Sequence, residues 1–154
     1  MKKEITLSNR EEIQALQSLL ISNADGDNIE GDGNHIVHSD NFPLKHTFAD
    51  GVYIRQMDMK AGSAVVGATH NHLHVWFLLT GKLNVVTEES IEEFISPCYV
   101  LANPGSKRVI YAVEDSIFVN IHKNPKNIKD IERLEKEIVS LTFEDYEKYI
   151  NKNK

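Results

Sequence analysis

The sequence predicts a mainly β fold, a small antiparallel sandwich or barrel with a helix before it and a helical tail after it. The first observation is a series of short apolar runs between residues 51 and 122, separated at close intervals by Gly, Pro or acidic turns. The second is the helical spacing of apolar side chains on either side of that region. With 154 residues, 41% hydrophobic and 26% charged, the chain suits one globular domain with its own core.

The first 50 residues are predicted to form an extension made of a helix and a loop. Ser8 and Asn9 are typical N-cap residues, and apolar side chains recur at helical spacing over residues 10–20. Residues 23–34 contain two Asp-Gly steps and one Glu-Gly step with few apolar side chains, which indicates a loop.

Residues 51–122 are predicted to form the barrel itself. In its last strand Ile117, Val119 and Ile121 alternate with Phe118, Asn120 and His122, so one face is aliphatic. The other face carries polar groups, and we expect it to line the interior. The predicted strands cover residues 52–59, 64–66, 74–79, 83–87, 99–101, 109–113 and 117–122.

Residues 123–154 are predicted to form a helical tail. An amphipathic helix begins after Pro125, and a second short helical face follows Thr142, which is a plausible N-cap. The apolar stripe either packs on the protein's own barrel, the commoner arrangement, or forms a homodimer contact. The two apolar faces consist of Ile128, Ile131, Leu134, Ile138 and Leu141, and of Phe143, Tyr146 and Ile150.

Composition excludes several classes of function. A net charge of −6 argues against general nucleic-acid binding, which depends on Lys and Arg side chains that neutralise phosphates. No apolar run approaches the ~18 residues of a membrane-spanning helix. The single Cys98 cannot form an internal disulfide and the N-terminus leads into no apolar signal core, so we expect a cytoplasmic protein.

Three histidines, His70, His72 and His74, alternate along a predicted strand, where they would share one face. Imidazole is the commonest protein ligand for transition metals, so the run predicts a divalent metal site for Fe, Mn, Ni or Zn. On a straight strand His70 and His74 lie about 13 Å apart, so only an i,i+2 pair can share one ion. A bend within residues 67–71 is the alternative that would bring His70 round to His74. His122, at a strand end, is the best candidate to complete the shell.

Charged and aromatic side chains predict an anionic small molecule as ligand. Arg55 lies in mid-strand next to Tyr53, and a charge inside a barrel needs a partner. Lys107 and Arg108 supply two further cations, and Arg geometry suits carboxylate and phosphate alike. An internal ion pair with a protein acid is an equal alternative for Arg55. Its candidate partners are Asp58, Glu114 and Asp115.

Trp76 and the histidines before the barrel have less specific interpretations. Trp76 either stacks on a ligand or fills the core, and the core is the usual place for such a side chain. His35, His38 and His46 are predicted to be surface or loop residues.

The segment from residue 52 to residue 122 resembles a cupin, a double-stranded β-helix of the jelly-roll type. The first cupin motif is a glycine, two histidines one residue apart, a glutamate three or four residues later and, after six intervening residues, a closing glycine. Gly81 matches the closing glycine, and His74 stands where the motif has its glutamate. One motif histidine falls on Thr69 or His70 and the other on Gly67 or Ala68, so only one of the pair is matched, and His72 lies outside the standard register.

The second cupin motif is a proline, any residue, a glycine, two further residues and a histidine. The sequence has Asn103-Pro104-Gly105-Ser106-Lys107-Arg108, with the glycine in place and Arg108 in the histidine slot. A guanidinium stays protonated and has no lone pair to coordinate a metal. The resemblance therefore implies either a rebuilt metal site or a cation placed where an anion binds.

A closer likeness is to the small, uncharacterised cupin-like proteins of tailed bacteriophages and some bacteria. It covers about half the chain well and implies an architecture without a settled activity. The segments that carry it are Phe48-Ala49-Asp50-Gly51-Val52-Tyr53-Ile54-Arg55, Pro104-Gly105-Ser106-Lys107-Arg108, Tyr111-Ala112-Val113-Glu114-Asp115-Ser116 and Ile121-His122.

Three functions are therefore open at the level of sequence. The first is a metal-dependent cupin that binds or transforms an anionic small molecule; no general base selects among oxygenase, isomerase and lyase chemistry. The second is a metal-free module that sequesters a phosphorylated or nucleotide-like ligand, which the Arg108 substitution favours. The third is a structural phage protein in which the barrel is a scaffold and the tail forms homo-oligomers.

Overall fold

The computed structural model describes residues 10–19 and 42–154, and in these ranges the chain forms eleven strands and three helices. The helices are α1 at residues 10–19, α2 at Ile131–Ile138 and α3 at Phe143–Lys152. The strands are β1 Leu44–Ala49, β2 Val52–Met59, β3 Ala64–Val66, β4 Thr69–His70, β5 His74–Thr80, β6 Lys82–Val86, β7 Ile91–Ile95, β8 Cys98–Ala102, β9 Val109–Ala112, β10 Ser116–Lys123 and β11 Val139–Ser140.

Two antiparallel sheets form the body of the protein. The larger has the strand order β1-β2-β10-β5-β8, and the smaller has the order β3-β9-β6-β7. Buried residues of both sheets, such as Met57 and Leu78 of the larger and Leu83 and Ile110 of the smaller, belong to one core cluster. The prediction of a small antiparallel sandwich or barrel is therefore confirmed.

Side chains on the inner face of the larger sheet form three rows across its strands, because cross-strand partners share a face. The apolar row consists of Leu44, Met57, Phe118, Leu78 and Cys98. The arginine row consists of His46, Arg55, Asn120, Trp76 and Val100. The histidine row, one step nearer the tail, consists of Phe48, Tyr53, His122, His74 and Ala102. Of these three rows, the apolar row lies at one end, the arginine row is next to it, and the histidine row follows at the other end.

All seven predicted strands are present to within one or two residues at each end. Four strands were not predicted, namely β1, β4, β7 and β11. β1 lies inside the range predicted as an extension, yet it pairs with β2 along its whole length. The prediction that His46 lies in a loop or on the surface is therefore wrong, since it sits half-buried in β1.

The tail packs on its own barrel. α2 begins at Ile131, after Asp130 accepts a hydrogen bond from the backbone N–H of Arg133, and it is shorter than the predicted helix. Leu134 and Ile138 of α2 are buried against Tyr53 of β2, so the expected apolar stripe covers the core. Thr142 caps α3 by accepting from the backbone N–H of Asp145, as predicted. No helix in the described ranges is long and apolar enough to cross a membrane.

The N-terminal helix α1 also lies against the tail. Ile13 of α1 is buried, and Arg10 forms a salt bridge with Glu88. The guanidinium of Arg10 lies 4.5 Å from the ring centre of Phe143 in α3. The predicted cap at Ser8 and Asn9, the loop at residues 23–34, and His35 and His38 lie outside the described residues.

Candidate functional site: an imidazole cluster around a buried arginine

A bend separates His70 from His74, so the histidine run is not one strand. β4 ends at His70, residues 71 and 72 form the bend, and β5 begins at His74. The ring centres of His70 and His74 are consequently 4.1 Å apart, with the rings stacked. The expectation of three histidines on one straight strand face is wrong; the chain bends, although at residues 71 and 72 and so at the end of the predicted range 67–71.

The backbone of His70 is held from two sides. Its carbonyl accepts from the N–H of Gly105 at 2.7 Å, and its N–H donates to the carbonyl of Ser106 at 2.9 Å. Val139 of β11 is its cross-strand partner on the other side. Gly105 has φ +83°, and a Cβ there would lie 2.9 Å from the ring of Tyr146, which explains the glycine.

His122 of the histidine row completes a cluster of three rings. Its ring centre is 5.0 Å from that of His74 and 5.6 Å from that of His70. All three side chains are buried, with 4–6% of their surface exposed. We call His70, His74 and His122 the imidazole cluster.

His72, the fourth predicted metal ligand, is not part of the imidazole cluster. Its Nε2 lies 3.0 Å from the carbonyl oxygen of Glu137 and 3.1 Å from the hydroxyl of Tyr149. The side chain therefore faces the two tail helices. The alternation of the sequence would have placed it beside its neighbours, but the bend turns it outward.

Arg108 enters the interior from the start of β9, in the opposite sheet. Its Nη1 lies 3.4 Å from Nε2 of His74, and its Nη2 donates to Oδ1 of Asn120 at 3.3 Å. The guanidinium carbon lies 5.8 Å from the ring centre of Trp76 and 5.7 Å from that of Phe118, within cation–π distance. A fixed cation, 4% exposed, thus sits between the imidazole cluster and the apolar row.

Neither interior arginine has an acidic partner in the described ranges. No salt bridge there involves Arg55 or Arg108, and the Nε atom of each is buried without a hydrogen-bond partner. Two of the predicted partners of Arg55 are engaged elsewhere: Asp58 accepts from Gln56, and Asp115 pairs with Lys60. The predicted internal ion pair is therefore not formed among these residues.

Burial makes the imidazole cluster neutral. It lowers the pKa of His70 and of His122 well below 6.5 and that of His74 to about 4, and the nearby Arg108 charge acts in the same direction. Burial also lowers the pKa of Arg108 to about 10, which leaves the guanidinium protonated at neutral pH. The positive charge of the interior therefore comes from the arginines.

The other predicted ligand-binding residues lie around this centre in different roles. Lys107 is fully buried but points away from it, donating from Nζ to the carbonyl of Leu141 at 2.7 Å, and burial lowers its pKa to about 8. Trp76 packs in the core, with its ring centre 4.9 Å from that of Phe94. Lys107 thus holds the tail through the carbonyl of Leu141, while the ring of Trp76 packs against the guanidinium of Arg108.

Tyr53 links the histidine row to the edge strand β1. Its hydroxyl lies 2.6 Å from Nδ1 of His46, and its ring stacks on that of His122 with centres 6.0 Å apart. Burial raises the pKa of Tyr53 to about 12, so its hydroxyl stays protonated. Tyr53 therefore packs between His46 and His122 and contacts both of them.

Two residues of this region were missed as site residues by sequence analysis. Asn120 was placed on the interior face, but nothing in the sequence paired it with Arg108, which is twelve residues away in the opposite sheet. His46 was missed because β1 was not predicted. The alternation of residue types in Leu44-Lys45-His46-Thr47-Phe48 is the signal that could have found it, and Lys45 and Thr47 are indeed exposed.

The arrangement of the imidazole cluster does not fit a resident divalent ion. The three rings are stacked, with interplanar angles of 13–29°. Nε2 of His74 is already paired with the Arg108 guanidinium. Within the described ranges, no group of three or more His, Cys, Asp or Glu side chains could hold a metal ion.

Comparison with solved structures identifies the architecture. A cupin superfamily protein from Desulfitobacterium hafniense has a TM-score of 0.50 at 10% identity, with 58% of this chain and 83% of that chain covered. The chain has the cupin fold. An RmlC-like cupin from Shewanella frigidimarina has a TM-score of 0.50 at 13% identity, covering 69% and 95% of the two chains. KdgF from Halomonas sp. also scores 0.50 at 13% identity, covering 62% and 86%.

These neighbours confirm the predicted cupin-type jelly roll, and the helices predicted before and after it are present in the structure. No protein-family model matches the sequence, and no curated protein matches it significantly. At 10–13% identity the neighbours carry the fold and not an activity, so the function has to be argued from the site itself.

Proposed function

We propose that this cupin-fold protein binds an anionic small molecule inside its barrel without a resident metal ion, and that Arg108 supplies the fixed positive charge. The observation that carries the proposal is the burial of the Arg108 guanidinium, 4% exposed and without a carboxylate partner in the described ranges. Burying an uncompensated charge costs several kcal/mol, so a chain that keeps one there needs an anion to offset it.

The surroundings of Arg108 support anion binding in two further ways. The imidazole cluster is neutral at pH 7, so it adds hydrogen-bonding capacity without further charge repulsion. Asn120 and the rings of Trp76 and Phe118 hold the guanidinium in place. Fixed donors lose little conformational entropy when a ligand arrives. Among the residues predicted to bind the ligand, Arg55 and Arg108 are the two that carry the argument.

A divalent transition metal held by His70, His74 and His122 is the second candidate, and one observation favours it. Nδ1 of His70 lies 3.3 Å from the carbonyl of Ser106, and Nδ1 of His74 lies 3.4 Å from that of His72. A carbonyl only accepts, so Nδ1 carries the proton in each ring and Nε2 keeps its lone pair, as in metal-ligating histidines. Ring rotation and displacement of Arg108 would be needed before an ion could bind.

The experiment combines metal analysis with thermal unfolding of protein purified without added ions. We expect less than about a tenth of an equivalent of any transition metal, and a rise in Tm with inorganic phosphate that a chelator leaves unchanged. The variant Arg108→Gln should lose the response to phosphate. The matched control Arg133→Gln, which removes the same charge from the exposed surface of α2, should keep it.

The opposite result would select the other candidates. Close to one equivalent of a metal that a chelator removes, together with a loss of stability, would overturn the metal-free proposal in favour of the metal-dependent one. The absence of any response to anions or metals, with a large and stable oligomer in solution, would favour the structural phage protein that the sequence resemblance left open.

A further inference from the structure

Two arginines lie next to the same polar residue, Asn120, inside the barrel. Arg55 of β2 is the direct cross-strand partner of Asn120, and Arg108 reaches the same Asn120 from the opposite sheet. Both lie close enough to His122 for their charges to act on that ring. Two like charges therefore act on one ring, and the repulsion from the half-buried Arg55 adds to the cost of burying Arg108.

Within the described ranges, no acidic side chain forms a salt bridge with either arginine. Gln56 and Asp58 alternate with Arg55 along β2 and so lie on the outer face of the sheet. Glu135 of α2 acts on Tyr53 from the tail side but forms no salt bridge with either arginine. Each arginine also keeps a buried Nε–H without an acceptor.

Buried side chains around the two arginines restrict the size of a ligand that could bind there. The apolar row closes it below, and the side chains of Asn120 and the imidazole cluster are only 4–7% exposed. Trp76 offers no free face for a nucleobase, because its ring contacts Phe94, Phe118 and the Arg108 guanidinium. Side chains this deeply buried leave little room, which favours a compact ligand over a nucleotide.

We infer that the ligand is a compact dianion, a phosphoryl group or a short dicarboxylate, whose two charges are shared between Arg55 and Arg108. This inference rests on the proposed anion-binding function and specifies its ligand class. Two cations match two negative charges, and each unsatisfied Nε–H gains an oxygen acceptor. A monoanion would leave one of the two guanidinium groups without a counter-charge.

Calorimetric titration with anions that differ in charge but little in size tests the inference. The first pair is methyl phosphate and dimethyl phosphate, and the second is succinate and its monoamide, succinamate. We expect one of the two dianions to bind at least tenfold more tightly than its matched monoanion at constant ionic strength. The pair that shows the difference tells a phosphoryl ligand from a dicarboxylate.

Two arginine variants separate this inference from the proposed function. Arg55→Gln should bind the dianion only as tightly as the monoanion, whereas Arg55→Lys should retain part of the preference and Arg133→Gln should retain all of it. Equal affinity for dianion and monoanion in the native protein, or an unchanged preference in Arg55→Gln, would overturn the dianion while leaving anion binding intact. Failure of all four anions to bind would overturn the proposed function itself.

Discussion

Nη1 of Arg108 lies 3.4 Å from Nε2 of His74, and this contact places a permanent cation at the lone pair of a buried imidazole. The same guanidinium reaches Asn120 of the neighbouring strand β10. Where the second cupin motif has a histidine, this chain therefore has a charge that repels divalent ions and attracts anions.

Replacing Arg108 by methionine is expected to stabilise the ligand-free protein by about 1 kcal/mol. The variant keeps a long apolar stem over Trp76 and Phe118 but removes a buried charge that has no acidic partner among the described residues. The loss of long hydrogen bonds to His74 and Asn120 offsets part of the gain. Urea unfolding without anions measures the difference, and a loss of more than 1 kcal/mol in Arg108→Met would contradict the interpretation.

Replacing Arg108 by histidine is expected to create a metal site that the native protein lacks. The change removes the cation beside Nε2 of His74 and adds a fourth imidazole to the cluster of His70, His74 and His122. Titration with Zn²⁺ or Ni²⁺ should raise the Tm of Arg108→His and leave that of the native protein unchanged. Equal responses in the two proteins would show that Arg108 does not keep metal out.

Stability is expected to fall as the pH falls from 6.5 towards 4. Burial lowers the pKa of His74 in the folded state to about 4, whereas the unfolded chain titrates near 6.5, so protons bind preferentially to the unfolded state in this window. At 1.4 kcal/mol per pKa unit, His74 alone accounts for a loss on the order of 3 kcal/mol. Urea unfolding at several pH values should show a shallower slope for His74→Gln; identical slopes would contradict the prediction.

Replacing Gly81 by alanine is expected to destabilise the protein strongly, because a Cβ has no room there and because the backbone conformation disfavours a side chain. Its φ is +89°, and a Cβ would lie 2.8 Å from Cα of Ser116 and collide with the Ser116 hydroxyl and the Asp115 carbonyl. We expect Gly81→Ala to cost at least ~3 kcal/mol. Gly62, with φ +85° and nothing within 4 Å, is the matched control and should cost about 1 kcal/mol. Equal costs at the two positions would show that the contact of the added Cβ with Ser116 and Asp115 does not contribute to the loss of stability.

His72 is expected to support the tail and not the ligand. His72→Ala removes contacts to the carbonyl of Glu137 and the hydroxyl of Tyr149, so it should lower the free energy of unfolding by about 1 kcal/mol. Affinity for anions should change less than twofold, whereas His70→Ala should weaken it more strongly. Calorimetry and urea unfolding on both variants provide the comparison. A larger loss of affinity in His72→Ala would place His72 in the site.

Most of the fold was predictable because local patterns record it. The alternation in β10 correctly assigned Phe118, Asn120 and His122 to the interior face, and Thr142 marked the start of α3. Four strands were missed, and all of them except β1 lack such a pattern. β4 and β11 are two residues each and exist because they pair with one another across sixty-nine positions of sequence. The edge strands β1 and β7 carry several polar side chains, and for this reason their sequences were interpreted as loops.

By itself, the sequence determined the cupin-type architecture, the residue types of the interior and the exchange of a motif histidine for Arg108, since these depend on spacing along the chain. Only the tertiary structure decided which side chains meet. A bend at residues 71 and 72 stacks His70 on His74 and turns His72 towards the tail, and the facing sheets bring Arg108 to Asn120. Such encounters depend on the path of the chain between distant segments, and periodicity within one segment carries no information about that path.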